Sequence, residues 1–306
     1  MQHNRLTAVG WFTVAVISAT VSSLVAYGLV RNVAAGVPVG EEIDAYSAIR
    51  ERGVLRASYY VGAPYFVLEP NTLKRSGIFY EVLEAVGAKL GLAVNWNEEV
   101  GFGDMAEGLR RGRYDVVGSG VWISADRGRH ADFTVPVVFD VVSAYARTDD
   151  HRFDGDIDKA NDSSITVATI DGEMAQTIAK IVLPSAHIAS LPQLTEFSQM
   201  IEEVISGKAD LTFLGLAAAR RYQAKNPGKI RNVLPDRPVR VFPTAIMLPP
   251  DQWRLKRVLD LALGEMLDNG EIDRIVSKYE EVAGSHYRVA APYRAPADGE
   301  DVPVSR

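Results

Sequence analysis

Few residues in this sequence are grouped so that they could make or break a covalent bond. The five histidines, His3, His130, His151, His187 and His286, are scattered, so neither a helical histidine pair for a metal nor a Ser-His-Asp arrangement is visible. Cysteine is absent, which removes a thiolate nucleophile, a disulfide framework, a cysteine zinc site and a lipidated N-terminal cysteine together. No metal and no cofactor are expected. What remains is recognition chemistry. Arg127 stands among Asp126, Arg129 and Asp132; a guanidinium is always charged and presents parallel N–H donors that suit a carboxylate, although a surface arginine at a helix start would look the same. Asp171 and Glu173 follow the strand candidate Ile165 to Thr169, where acids also serve as helix N-terminal decoration favoured by the macrodipole. In a dry cleft Glu173 could act as a general acid, but one acid without a second placed group is thin support for an enzyme. Tyr59, Tyr60 and Tyr65 supply aromatic surface near the first strand, suited to a small-molecule pocket or to an ordinary core.

The elements that would hold these residues alternate between helix and strand. A helix-like stretch at Ala45 to Arg50 leads through Gly53 into the strand candidate Val54 to Tyr60. Ile78, Phe79, Val82, Leu83, Val86 and Leu90 repeat at three and four residues, the stripe of an amphipathic helix, and Gly91 stops it. Val116-Val117, Val137-Val138 and Val141-Val142 are β-branched runs between helical or polar segments, so the architecture reads as α/β. One phrase occurs twice: a helix ends in Gly112-Arg113-Tyr114-Asp115 before a strand, and another ends in Gly207-Lys208-Ala209-Asp210 before a strand. Two similar lobes would produce that echo, and so would a common helix C-cap. A periodic helix is expected from Asp251 to Leu267 and a last one through Ile272, Ile275, Val276 and Tyr279, followed by a flexible tail over 284–306.

With 306 residues and 47% hydrophobic composition, the chain can bury one large core or two modest ones. The 33 basic and 39 acidic residues give a formal charge of -6 with no long basic block, so nucleic acid is not an expected partner. Leu6 to Val30 carries no charged residue and is bracketed by Arg5 and Arg31. Residues 1–35 are therefore expected to be a signal anchor, a membrane helix that exports the rest, with cleavage after Ala35 as the alternative. A linker over 36–44 would follow.

The run Gly118-Ser119-Gly120-Val121-Trp122-Ile123-Ser124-Ala125-Asp126-Arg127, followed by Ala131-Asp132-Phe133-Thr134-Val135-Pro136, resembles the signature of the family 3 extracellular solute-binding proteins, the polar amino-acid receptors of ABC transporters. Arg52-Gly53-Val54-Leu55-Arg56, Pro64-Tyr65-Phe66, Ser76-Gly77-Ile78-Phe79 and the Leu267-Asp268-Asn269-Gly270 to Lys278-Tyr279 segment agree in order and spacing. The resemblance implies the two-lobed periplasmic-binding-protein-like fold of type II, each lobe a mixed sheet flanked by helices, with two crossover strands as the hinge. Lobe one would combine residues 45–142 with 245–283 and lobe two would be 143–244, with crossovers near Val141 to Arg147 and Arg240 to Ala245. A solute in the cleft would draw the lobes together.

By the same resemblance Arg127 grips the solute's carboxylate and Phe102 packs over its side chain; Gly120 would let the solute approach a strand end, and Tyr59, near the first strand, would add aromatic surface. Two positions depart from the family pattern. Trp122 stands where a small hydroxyl residue donates to the carboxylate, and Gly215 stands where an aspartate pairs with an α-ammonium. A desolvated ammonium left unpaired costs several kcal/mol, so Asp171 or Glu173 would have to restore the anion. If neither faces the cleft, a carboxylate without an ammonium fits better. The expected function is periplasmic capture of a small carboxylate-bearing solute for an ABC permease in the inner membrane. A tethered sensor and a cyclohexadienyl dehydratase-like enzyme on the same scaffold are the rivals.

Overall fold

The computed structural model describes residues 44–281 and 284–289. The apolar segment Leu6 to Val30 lies outside them, and no helix among the described residues is long and apolar enough to cross a membrane. In chain order the elements are α1 (Ala45–Arg52), β1 (Val54–Tyr59), the hairpin β2 (Val67–Leu68) and β3 (Arg75–Ser76), α2 (Ile78–Leu90), β4 (Ala93–Glu99), α3 (Met105–Arg110), β5 (Val116–Trp122), β6 (Asp132–Phe133) and β7 (Val138–Arg147). Then come β8 (Thr166–Ile170), α4 (Met174–Val182), β9 (His187–Leu191), α5 (Phe197–Ile205), β10 (Leu211–Gly215), α6 (Leu216–Lys225), β11 (Ile230–Asn232), β12 (Arg240–Leu248), α7 (Trp253–Asp268), α8 (Glu271–Tyr279) and β13 (His286–Arg288).

The strands join in the order β4-β1-β5-β12-β7-β10-β8-β9. β1 is parallel to β4 and β5, and β8 is parallel to β9 and β10. Between these parallel sets lie the long strands β12 and β7, antiparallel to each other from Arg240↔Val142 to Thr244↔Val138. Buried side chains divide at the same place. One cluster uses only residues between Val142 and Phe242, whereas the others draw on Ile49 to Val138 together with Ala245 to Val276. The stripe read from α2 supplies the second of these, since Ile78, Phe79, Val82, Leu83 and Val86 are all buried. Each such side chain contributes roughly 1.5–3 kcal/mol by leaving water.

The repeated glycine-base-acid phrase has a structural counterpart. Gly112 and Gly207 both take a left-handed turn after their helices. Asp115 and Asp210 then do the same work on the neighbouring strand. The Arg56 amide donates to Asp115 Oδ2 at 2.8 Å while Asp115 donates its own amide to the Arg56 carbonyl. Likewise the Thr166 amide donates to Asp210 Oδ2 at 2.8 Å, and the Asp210 amide donates back to the Thr166 carbonyl. Each acid pins the start of one parallel strand to the start of the next, β1 to β5 and β8 to β10. The expected flexible tail is corrected at its beginning, because His286 to Arg288 form β13 and pair with Val138 to Asp140 of β7.

Candidate functional site

The carboxyl ends of β1 and β5, the start of β7 and the end of β10 converge on one cavity, whose empty space including its mouth is about 640 Å³. Open α/β sheets bind ligands at the carboxyl ends of their strands because helix N-termini and loops meet there. Tyr60, Tyr65, Phe102, Trp122, Phe197 and Phe213 form aromatic walls, and Arg127, Asp140 and Glu173 are the charged residues of the lining. The Phe102 ring lies 4.6 Å from Tyr60 and 6.4 Å from Phe197, so residues on both sides of the crossover pair share one aromatic face.

Arg127 opens a 3-10 turn (Arg127–Arg129), and its amide donates to Ser124 Oγ at 3.2 Å. Its half-buried guanidinium donates to the Trp122 carbonyl at 3.1 Å and to the Gly172 carbonyl at 3.4 Å. The second bond crosses from the β5 loop to the loop before α4. A guanidinium has five N–H donors in a planar fork, so these two bonds leave it able to take a carboxylate. Burial lowers its pKa, while the Glu173 carboxylate, Tyr60 and Asp126 oppose that shift.

Glu173 is buried and caps α4, accepting from the Ala175 amide at 2.5 Å. Burial raises its pKa, and the helix amides and Arg127 act against that. Gly172, immediately before it, has φ of 73°, and a Cβ there would lie 2.7 Å from the Gly103 nitrogen. That glycine lets the α4 loop close on the Phe102-Gly103 loop.

Asp140 is the residue that sequence reasoning missed. It is 2% exposed, the third residue of β7. Its Oδ2 accepts from Thr244 Oγ1 at 2.9 Å and from the Trp122 indole nitrogen. The signal was present: a lone acid inside the run Val137-Val138-Phe139-Asp140-Val141-Val142 has no surface face to occupy. Nothing comparable marks Phe197, which arrives from the start of α5.

Of the expected residues, Phe102, Gly120, Trp122, Arg127 and Glu173 line the cavity, as does Gly215. Tyr59 and Asp171 do not. Tyr59 points to the other side of β1 and stacks on Phe66 at 4.4 Å, because side chains alternate along a strand and Tyr60 takes the cavity side. Asp171 is exposed and accepts from Gln176 at 3.1 Å. Gly120 also has a different reason to be glycine: its φ is 84° and a Cβ would sit 2.5 Å from the Phe79 ring. Core packing therefore demands a glycine there whether or not a solute approaches. The indole of Trp122 lies flat on Phe242 at 5.0 Å and 3°, with its N–H turned to Asp140. Among the described residues no cluster of histidine and carboxylate side chains is arranged to hold a metal ion.

Several solved structures share this architecture. The ancestral amino acid-binding protein AncCDT-1, a precursor of cyclohexadienyl dehydratase, is 21% identical, covering 78% of this chain and 100% of that one at a TM-score of 0.67. AbpA from Streptococcus pneumoniae, an amino acid ABC transporter substrate-binding protein bound to L-arginine, is 19% identical over 76% of this chain and 97% of its own, at 0.66. The binding component of an ABC transporter from Wolinella succinogenes, complexed with lysine, is 18% identical over 76% and 97%, at 0.67. At these identities the likeness concerns the fold. No curated protein matches the chain in sequence. The family itself is set by sequence: residues 55–282 match the model of the bacterial extracellular solute-binding proteins, family 3, and the chain belongs to that family.

Proposed function

We propose that the chain captures a small amino acid or related carboxylate between its lobes, 45–142 with 245–283 and 143–244, for an ABC-type importer. The observation that carries this reading is the Arg127 guanidinium in an aromatic-walled cavity whose lining draws on hydrophobic clusters from either side of the β7-β12 pair. Binding on both sides of the crossover pair is what a solute needs to favour the closed form. Family membership and the solved relatives, which include arginine- and lysine-bound proteins, support a binding role over the dehydratase reading. Leu6 to Val30 acts as an uncleaved anchor beside the permease; recovery of a soluble protein beginning at Gly36 would replace tethering with cleavage after Ala35.

A thermal-shift screen of amino acids, amines and small carboxylates tests the main reading, since a cleft solute stabilises the folded protein by mass action. At least one carboxylate should raise the melting temperature, and Arg127→Ala should abolish that rise. Unchanged affinity in the variant would overturn the carboxylate assignment.

A further inference from the structure

Gly215 leaves the second lobe without the side chain that a solute's cationic nitrogen would need at that position. The space beside it is not vacant. A Cβ on Gly215 would stand 3.6 Å from Trp122 Cζ2 and 3.9 Å from Asp140 Oδ1. A carboxylate carried at 215 would thus meet the one already carried at 140, and like charges so close oppose each other. Glycine at 215 and aspartate at 140 form one arrangement.

We propose that Asp140 is the anionic subsite of this cleft, supplying from the crossover strand β7 the counter-charge for the ammonium of a solute whose carboxylate lies on Arg127. This rests on the binding role argued above and narrows it to amino acids over plain carboxylic acids. A buried carboxylate needs compensation, yet the donors to Asp140 are the neutral Trp122 indole and Thr244 hydroxyl, and both use Oδ2. Among the described residues no lysine, arginine or histidine forms an ion pair with it; the buried His286 ring feels its charge, but burial lowers the imidazole pKa and favours its neutral form. Oδ1 remains on the Gly215 side. The Tyr65 hydroxyl, in the same lining, is buried beside Asp140 and Thr244 without a hydrogen bond of ordinary geometry, so it too is a neutral neighbour of this carboxylate. Glu173, the other acid, is already engaged by the α4 amide of Ala175. Once a solute's carboxylate meets Arg127, Asp140 is the acid left to pair with a cation.

The test is calorimetric titration of the full-length chain in detergent with the common L-amino acids, and with each binder's counterpart in which every cationic nitrogen is replaced by hydrogen. The wild type should prefer the amino acid. Asp140→Asn keeps acceptors for Trp122 and Thr244, and it should cut affinity for the amino acid about 30-fold or more, as loss of one buried charge partner does. Its affinity for the nitrogen-free acid should stay within about threefold, since a neutral group there has no charge partner to lose. Asp140→Asn combined with Gly215→Asp should restore part of the preference. If Asp140→Asn weakens both members of a pair equally, or neither, Asp140 is structural and the inference fails. If the nitrogen-free acid binds the wild type as well as the amino acid and still depends on Arg127, the carboxylate reading stands and only the ammonium subsite falls. If no member of any pair binds the wild type, both fall.

Discussion

The indole N–H of Trp122 donates to the carboxylate of Asp140 across the β5-β12-β7 junction, while the face of the same ring lies on Phe242. One side chain thus does two separable things. Trp122→Phe keeps the ring against Phe242 and removes the donor. A hydrogen bond to a charged group is worth about 1.5–3 kcal/mol, so urea unfolding of the solute-free protein should show a loss of that size. Trp122→Ala should lose more, because the stack disappears as well. A phenylalanine variant as stable as the wild type would mean the indole nitrogen does not hold Asp140.

On the two-lobe reading proposed above, Gly172 separates the cost of closing from the cost of folding. Its φ of 73° disfavours any other residue by about 1–2 kcal/mol. A Cβ at 172 would stand 2.7 Å from the Gly103 nitrogen, a clash that adds to this cost only where the two loops meet. Gly172→Ala should therefore lower solute affinity about tenfold or more by making the closed state harder to reach. Stability of the solute-free protein should fall only by the smaller backbone amount. Calorimetry and chemical denaturation on the same variant measure the two effects. Equal losses in both would place the alanine strain in the fold alone.

Legibility in the sequence followed period and punctuation. The α2 stripe, the glycine stops and the β-branched strands were readable because each expresses a local rule: a helix repeats every three to four residues and a strand alternates. Asp115 and Asp210 were readable as an echo, though not as the paired strand locks they form. The cavity was harder. Tyr59 and Tyr60 are adjacent and chemically alike, so choosing the cavity side requires the strand's phase, which the flanking residues did not fix. Asp171 and Glu173 differ by two positions in a loop, where no period applies; the left-handed Gly172 between them sends one to solvent and the other into the lining. Asp140 is hard to read because its β-branched neighbours mark a strand, and that pattern carries no information on what a single acid inside it faces.

The strand locks predict symmetric losses in the two halves. Asp115→Ala removes the acceptor of the Arg56 amide and the partner of the Arg52 and Arg56 guanidinium groups. Asp210→Ala removes the acceptor of the Thr166 amide and a partner of Arg152. The guanidinium groups are partly exposed, so the ion pairs add little beyond the hydrogen bonds. An orphaned backbone donor costs about 1–3 kcal/mol, and each variant should lose that much in chemical unfolding. Losses below about 0.5 kcal/mol in either, the range of ordinary surface changes, would show that the acid is decorative there.

Glu173 gives the protein a pH dependence opposite to that of a salt-bridged acid. Burial raises its pKa above the ordinary 4.5, with the Ala175 and Met174 amides and Arg127 only partly offsetting it. Below 4.5 the group is protonated both folded and unfolded, and it adds no pH dependence. As pH rises from there, the unfolded chain ionises first, so the folded state holds more protons and stability falls until the pH passes the raised folded value. Each pH unit of displacement between the two values corresponds to about 1.4 kcal/mol. Glu173→Gln keeps an oxygen for the Ala175 amide and removes the ionisation. The stability of this variant relative to wild type should therefore rise with pH across that window and level off above it, in urea unfolding of the solute-free protein at a series of pH values. A difference that stays constant from pH 4 to 8 would mean that Arg127 and the helix amides offset the cost of burial completely.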